Sequence, residues 1–324
     1  PDFEFTLVFA IEEVDLLRGG PSHDLLSPMR RRHYIGKAAV VDVTVVTPPC
    51  NTHTRSRHSG FPGPPPVRDA SFPRGLPNLS EANQKAADDA NILSDFSVEV
   101  LRVVADHGRL GLFEFPEDLG KTALGTPASL WRDPGLRALA SRGFQRGAFY
   151  QDDWADIAYV KPTGLLTNID AIISNPKFYM GWPVFKADGS YCGPLPPRKS
   201  FGIGLIGKTS SGEFATKPTA AYPPGVVMTL AAAILTSWLK VRKHFVAAVP
   251  AGIPESGEAL NQPGVQAPAR AAVSTSGSAG SGSAVQTAVG ASAAPVDSGA
   301  GVANWLEAVP VLSDVAPGVP SAPA

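Results

Sequence analysis

The first 250 residues alternate between two hydrophobic periods: short unbroken apolar runs, and longer stretches in which apolar residues return every three or four positions. The runs "FTLVFAIE" (5–12), "AAVVDVTVV" (38–46) and "RLGLFEFP" (109–116) predict buried strands, and "GAFYQDDW" (147–154) a fourth. "HDLLSPMRRRHYI" (23–35) predicts a turn followed by a helix. In "NQKAADDANILSDFSVEVLRVVADHG" (83–108), Ala87, Ala90, Ile92, Leu93, Phe96, Val100, Leu101 and Val104 fall near one helical face. "DPGLRALASRG" predicts a helix that opens after Asp133, carries Pro134 at its start and closes at Gly143. Strands alternating with helices predict an α/β domain whose mostly parallel sheet is covered on both faces. Ligands gather at the carboxyl ends of such strands, and Cys50 and Glu114 lie at two of them.

Two stretches break the pattern. From about 155 to 225 the chain is rich in Pro and Gly with short aromatic runs, "KPTGLLTN", "GWPVF", "SYCGPLPP", and is expected to form an insert of irregular loops and hairpins. The apolar run "VVMTLAAAILTSWL" (226–239) then returns to the sheet. Its fourteen residues fall short of the ~20 needed to span a bilayer, so a buried helix is expected and no membrane partner. Past residue 250, Ala, Gly, Ser, Pro and Val dominate; a domain over 1–250 and a disordered tail over 251–324 are expected from that shift.

Composition narrows the function classes. With 44% hydrophobic residues in 324, the chain can bury one large core, and a formal net charge of −1 gives no global basic field, so any nucleic acid must be gripped locally. Two cysteines and six scattered histidines supply neither a disulfide framework nor a metal-ligand spacing, so a reducing intracellular compartment and no metal are expected. "GIGLIGKT" (202–209) matches both GxGxxG and the phosphate-loop pattern. The next residues, "SSGEFATKPTAAYPP", carry turn chemistry rather than the helix whose amino end receives phosphates, so a hairpin over "FGIGLIG…FATK" is expected instead.

The remaining candidate chemistry sits in "TPPCNTHTRSRH" (47–58). Pro48 and Pro49 aim Cys50 in a fixed direction from a strand end, and His53, Arg55, Arg57 and His58 could lower its thiol pKa by nearby positive charge. An inert cysteine beside a basic loop is the alternative.

"VVTPPCNTHTRSR" resembles the nucleophile motif of DNA cytosine-5 methyltransferases, in which a strand ends in Pro-Pro-Cys. Other segments fit that family in order over about residues 5 to 240. "FAIEEVD" is similar to the strand whose acidic residue holds the ribose of S-adenosylmethionine, which falls on Glu13, with Asp15 two places on. "HDLL" resembles the next cofactor segment, where Asp24 would face the adenine. "LFEFPEDLG" resembles the strand carrying the base-holding Glu, here Glu114, and "AAYPPGVVMTLAAAI" the final Pro-Pro helix that completes the cofactor pocket. More closely, "PPCNTHTRSRH…GPPPVR…PASLW" resembles a divergent type associated with mobile elements.

The resemblance implies a Rossmann-like methyltransferase fold that lacks its first strand, S-adenosylmethionine as cofactor, DNA as partner and the nucleus as location. Cys50 would add to cytosine C6 while Glu114 contacts N3; Glu13, Asp15, Asp24 and Pro48 would line the cofactor; Arg55, Arg57, Gln151 and Lys161 would contact nucleic acid. Phe115 stands where the family has Asn after its Glu. The chain begins near the family's second strand, which puts the glycine-rich cofactor loop outside it and makes an inactive truncated domain one expectation. Two other readings compete. Amino methylation of adenine is disfavoured because Thr47 and Cys50 occupy its Asp/Asn and aromatic positions. The other is a catalytically degenerate protein that binds nucleic acid or a partner protein within a mobile element.

Overall fold

The computed structural model describes residues 10–59, 63–154, 159–198, 212 and 221–247, with side chains to 242. Most of the expected strand over 5–12, the phosphate-loop look-alike with its expected hairpin, and the tail over 251–324 lie outside these residues; the described end of that strand, 10–12, is irregular.

After a single helical turn, α1 (Leu16–Gly19), the chain enters α2 (Pro28–Ala38), with Ser27 before it and a proline in its first turn. Strand β1 (Val43–Val46) leads into the Pro-Pro-Cys turn. Helix α3 (Glu81–Asp106) is capped by the Ser80 hydroxyl, which accepts from the Asn83 N–H. Its buried stripe runs Ala87, Ala90, Asn91, Ser94, Ser97, Val100, Leu101, Val104. The small polar members bury because their polar atoms are satisfied. Ser94 and Ser97 donate to the carbonyls of Ala90 and Leu93, and Asn91 accepts from Arg68.

Strand β2 (Leu110–Pro116) comes next, then α4 (Pro134–Ala138), capped by the Asp133 carboxylate and extended by a 3-10 turn over Leu139–Arg142. Gly143 ends it with φ +87°, a left-handed conformation that favours glycine. Strand β3 (Gln145–Tyr150), β4 (Pro162–Thr167), the short α5 (Asp170–Ile173) and β5 (Tyr179–Met180) complete the sheet. A ribbon of β6 (Val184–Phe185) and β7 (Tyr191–Gly193) stands apart from it, and α6 (Pro224–Ala247) closes the domain.

The sheet order is β1-β2-β4-β3-β5, and it is mixed rather than mostly parallel. β1 and β2 pair in parallel, whereas β4 is antiparallel to β2 on one side and β3 on the other. The reason lies in the connections. α3 links β1 to β2, and a helical segment containing α4 links β2 to β3, so these three strands share one direction. β4 returns from β3 through the 3-10 turn Gln151–Asp153 and a short link, and inserts between β2 and β3 running the opposite way. This central strand is "PTGLLT", inside the stretch expected to be irregular.

Each face of the sheet carries its own core. One joins Phe113, Phe115 and Leu166 to Val100, Leu101 and Val104 of α3, and to Trp131, Leu136 and Leu139. The other joins Leu112, Phe149 and Leu165 to Ile172 of α5 and to Val226, Leu230 and Ala233 of α6. Over Pro224–Arg242, α6 is long and apolar enough to cross a membrane, and one face of it is built into this second core.

Gly164, at the centre of β4, is fixed by packing. A Cβ there would come within 2.6 Å of the Trp131 ring and 2.7 Å of the Arg146 guanidinium. Trp131 cannot withdraw, because it is fully buried, its indole N–H donates to the Pro116 carbonyl at 2.7 Å, and Arg146 stacks 4.6 Å from its centre. Gly164→Ala is therefore expected to cost about 1–3 kcal/mol by overpacking. Gly36→Ala, at an exposed site in α2 with open space around it, should gain about 0.5–1 kcal/mol. Urea unfolding of the two variants checks both signs.

Candidate functional site

The loop after β1 is wired to the protein by the residues that make it look basic. The His53 N–H donates to the Cys50 carbonyl at 2.9 Å, closing a turn directly after the two prolines. Arg55 donates to the carbonyls of Gly120 and Lys121, at 2.6 and 2.9 Å. Arg57 donates to those of Asn51 and Pro65, at 2.6 and 2.8 Å. His53 is buried, its ring edge-on to Phe115 at 5.3 Å, with Nε2 3.2 Å from the Arg68 guanidinium. Burial and the Arg68 charge push His53 down to about 3, so its imidazole is neutral near pH 7 and accepts from Arg68. Arg68 itself is almost fully buried and also donates to Pro73, Ala87 and Asn91. The donors of these residues are thus directed at carbonyls and a buried network, and none of His53, Arg55 or Arg57 is among the charges that act on the Cys50 thiol.

Cys50 meets different neighbours. It packs part-buried against the Phe113–Phe115 side of the sheet. Burial pushes its thiol up, the Glu114 charge adds to that, and the Lys161 charge opposes it. Glu114 lies two residues past Leu112 on β2, so strand alternation points it to the α6 side of the sheet, where Tyr222 precedes that helix. Burial raises the Glu114 carboxyl, while the Lys161 ammonium and a hydrogen bond from the Tyr222 hydroxyl pull it back. Tyr222 is held far above its ordinary value by burial first, then by the charge of Glu114 and the hydrogen bond to it, with Cys50 adding to the effect. The Lys161 ammonium sits 5.5 Å from the centre of the Tyr222 ring.

Four distant segments therefore converge at one end of the sheet: the turn after β1, the end of β2, the residue before β4 and the residues before α6. Of the expected site residues, the structure brings together Cys50, Glu114 and Lys161. Sequence reasoning missed Tyr222, although it stands directly before the Pro-Pro of a segment already singled out.

The other expected contacts lie elsewhere. Gln151 is fully buried; its amide donates to the Thr163 hydroxyl at 3.0 Å, and its backbone N–H to the Lys161 carbonyl at 3.2 Å. It braces Lys161. Pro48 is part-buried just past β1. The Asp15 carboxylate caps α1 through the Leu17 and Arg18 N–H groups, and Asp24 accepts from the Leu26 N–H. Glu13 uses Oε2 in an ion pair with Arg18 at 2.9 Å, and its Oε1 is buried without a hydrogen-bond partner. A buried, unfilled carboxylate acceptor suits a ribose hydroxyl.

"EDLG" (117–120) belongs to the scaffold. Glu117 forms a fully buried ion pair with Arg146 and accepts from the Tyr191 hydroxyl at 2.8 Å, while Asp118 accepts from Arg132 at 2.7 Å and from the Gly120 N–H at 2.9 Å.

Because the folded-state pKa of Glu114 is raised, the native state holds a proton that the unfolded chain has released. Stability from this group is full below the ordinary value of 4.5 and is lost as pH rises through the folded value. Glu114→Gln is therefore expected to flatten the loss of stability on going from acid to neutral pH, measured by urea unfolding across that range. Tyr222→Phe removes a hydrogen bond that favours the carboxylate, so it should move the Glu114 carboxyl further up in a carbon-13 NMR titration; an unmoved titration would exclude the contact.

No protein-family model, no curated protein and no solved structure matches the chain.

Proposed function

We propose that the chain is a DNA cytosine-5 methyltransferase-like domain with Cys50 as nucleophile and Glu114 as the group that holds the base. The observation that carries this reading is the placement of Cys50 and Glu114 at the carboxyl ends of the adjacent parallel strands β1 and β2, near enough for the Glu114 charge to act on the thiol. A cysteine alone would not distinguish a nucleophile from an inert thiol. A cysteine whose thiol feels a carboxyl that burial biases toward its protonated form would provide the pair that cytosine requires.

The Cys50 thiolate would form a bond to C6 of a base swung out of the duplex, while the Glu114 carboxyl shares its proton with N3 and takes up the charge that develops on the ring. S-adenosylmethionine would supply the electrophilic methyl that C5 takes up. Loss of the C5 proton would then expel the Cys50 thiolate and release 5-methylcytosine. Glu13, with its unfilled Oε1, would hold the ribose of the methyl donor, and Asp24 would face its adenine. Pro48 would line the same cofactor pocket.

The burial that raises the Cys50 thiol favours a second reading, a non-catalytic relative that binds nucleic acid or a partner protein. One experiment separates the two. The protein is incubated with S-adenosylmethionine and duplex DNA carrying 5-fluorocytosine, beside Cys50→Ser. The expected result is a covalent protein–DNA adduct that needs the methyl donor and is absent from the variant. DNA binding without any adduct would overturn the methylation reading and leave the binding protein.

A further inference from the structure

We propose that Lys161 is the positioning residue for the Cys50 nucleophile: the reversed direction of β4 carries its ammonium to the carboxyl ends of β1 and β2, where it is the cation that stabilises the Cys50 thiolate. This deepens the methylation reading and rests on it for its role in catalysis; the pairing itself can be tested without DNA.

The backbone places the ammonium. β4 runs antiparallel to β2, with Thr163 opposite Pro116 and Pro162 accepting from the Glu117 N–H at 3.2 Å. The residue before Pro162 is consequently held beside the strand end that bears Glu114. Gln151 fixes that residue by donating to the Lys161 carbonyl, and the Tyr222 ring lies 5.5 Å from its ammonium.

The charges around Cys50 leave Lys161 that role. From β2 comes Glu114, whose negative charge opposes the thiolate; from the approach to α6 comes Tyr222, held protonated. From its own loop, His53 is neutral, and the guanidiniums of Arg55 and Arg57 are directed at carbonyls of Gly120, Lys121, Asn51 and Pro65. Among the described residues, Lys161 is the cation acting on the thiol. A thiolate needs such a partner, because burial alone favours the neutral thiol.

The test measures the pH dependence of Cys50 alkylation by iodoacetamide, read by mass spectrometry in a Cys192→Ser background, since exposed Cys192 would otherwise react too. Lys161→Met is expected to move the midpoint of the rate profile to higher pH, with alkylation near neutral pH falling several-fold. Lys161→Arg should keep the wild-type profile. Lys161→Gln, uncharged but polar, should repeat the Met result and replaces it if Met disturbs folding. The ultraviolet absorbance of the thiolate, referenced to Cys50→Ser, gives the same midpoints without any reagent entering the site. Coincident profiles for wild type and both uncharged variants would overturn the pairing. A displaced profile in a protein that forms no adduct with fluorinated DNA would uphold the pairing and remove the methylation reading; an adduct with undisplaced profiles would do the reverse.

Discussion

The hydrogen bonds that β4 makes on both of its edges, from Leu112 to Pro116 on β2 and from Gln145 to Tyr150 on β3, set the architecture of the site. They separate two strands that share a direction and place the start of a third strand among their ends. The insertion depends on close packing, since Gly164 lets the Trp131 ring and the Arg146 guanidinium settle onto the strand. Arg146 is then committed to Glu117, with both side chains fully buried. Removing one partner of such a pair leaves an uncompensated buried charge, at about 3–5 kcal/mol, so the pair ties the end of β2 to β3 across the inserted β4.

Much of this fold was legible as periodicity. α3, β2 and α6 lie where apolar spacing places them, while β1 keeps only the end of its run (Val43–Val46) and β3 ends at Tyr150 before a 3-10 turn. Asp133, Pro134 and Gly143 mark their helical segment as their types suggest. β4 was not legible, because "KPTGLLTN" has turn residues on either side of two leucines and a glycine in its middle. Glycine usually signals a bend; here it signals close approach. The parallel sheet was over-extended for a related reason. Helical crossovers do make β1, β2 and β3 codirectional, but nothing in the pattern announces that a short return will drive a strand between the last two. On α3, counting only apolar residues missed Asn91, Ser94 and Ser97, whose burial depends on hydrogen bonds that no single-residue scale contains.

At the site, residue types were more legible than directions. The turn "TPPC" and Glu114 could be singled out because their chemistry is local to one strand end each. His53, Arg55 and Arg57 offered the charge a thiolate wants, and the sequence could not say that their donors point at carbonyls instead. Lys161 and Tyr222 could be placed only after the topology was known, since they lie over a hundred positions from Cys50 in the chain.

Burial at the strand ends explains why Cys50, Glu114 and Tyr222 all resist ionisation, and the Glu114 charge adds to it for the other two. Among the described residues, the Lys161 ammonium is the cation that acts on both Cys50 and Glu114, and the Glu114 charge opposes the ionisation of Cys50 and Tyr222. Lys161 can support a single negative charge there. If that charge rests on Glu114, the thiol stays protonated and unreactive. If it rests on Cys50, Glu114 keeps its proton, which is the distribution that the proposed addition to C6 with proton sharing at N3 would require. On the methylation reading, a base that hydrogen-bonds to protonated Glu114 would move the charge to sulfur. A thiol that burial holds against ionisation is compatible, on that reading, with a nucleophile that forms when its substrate arrives.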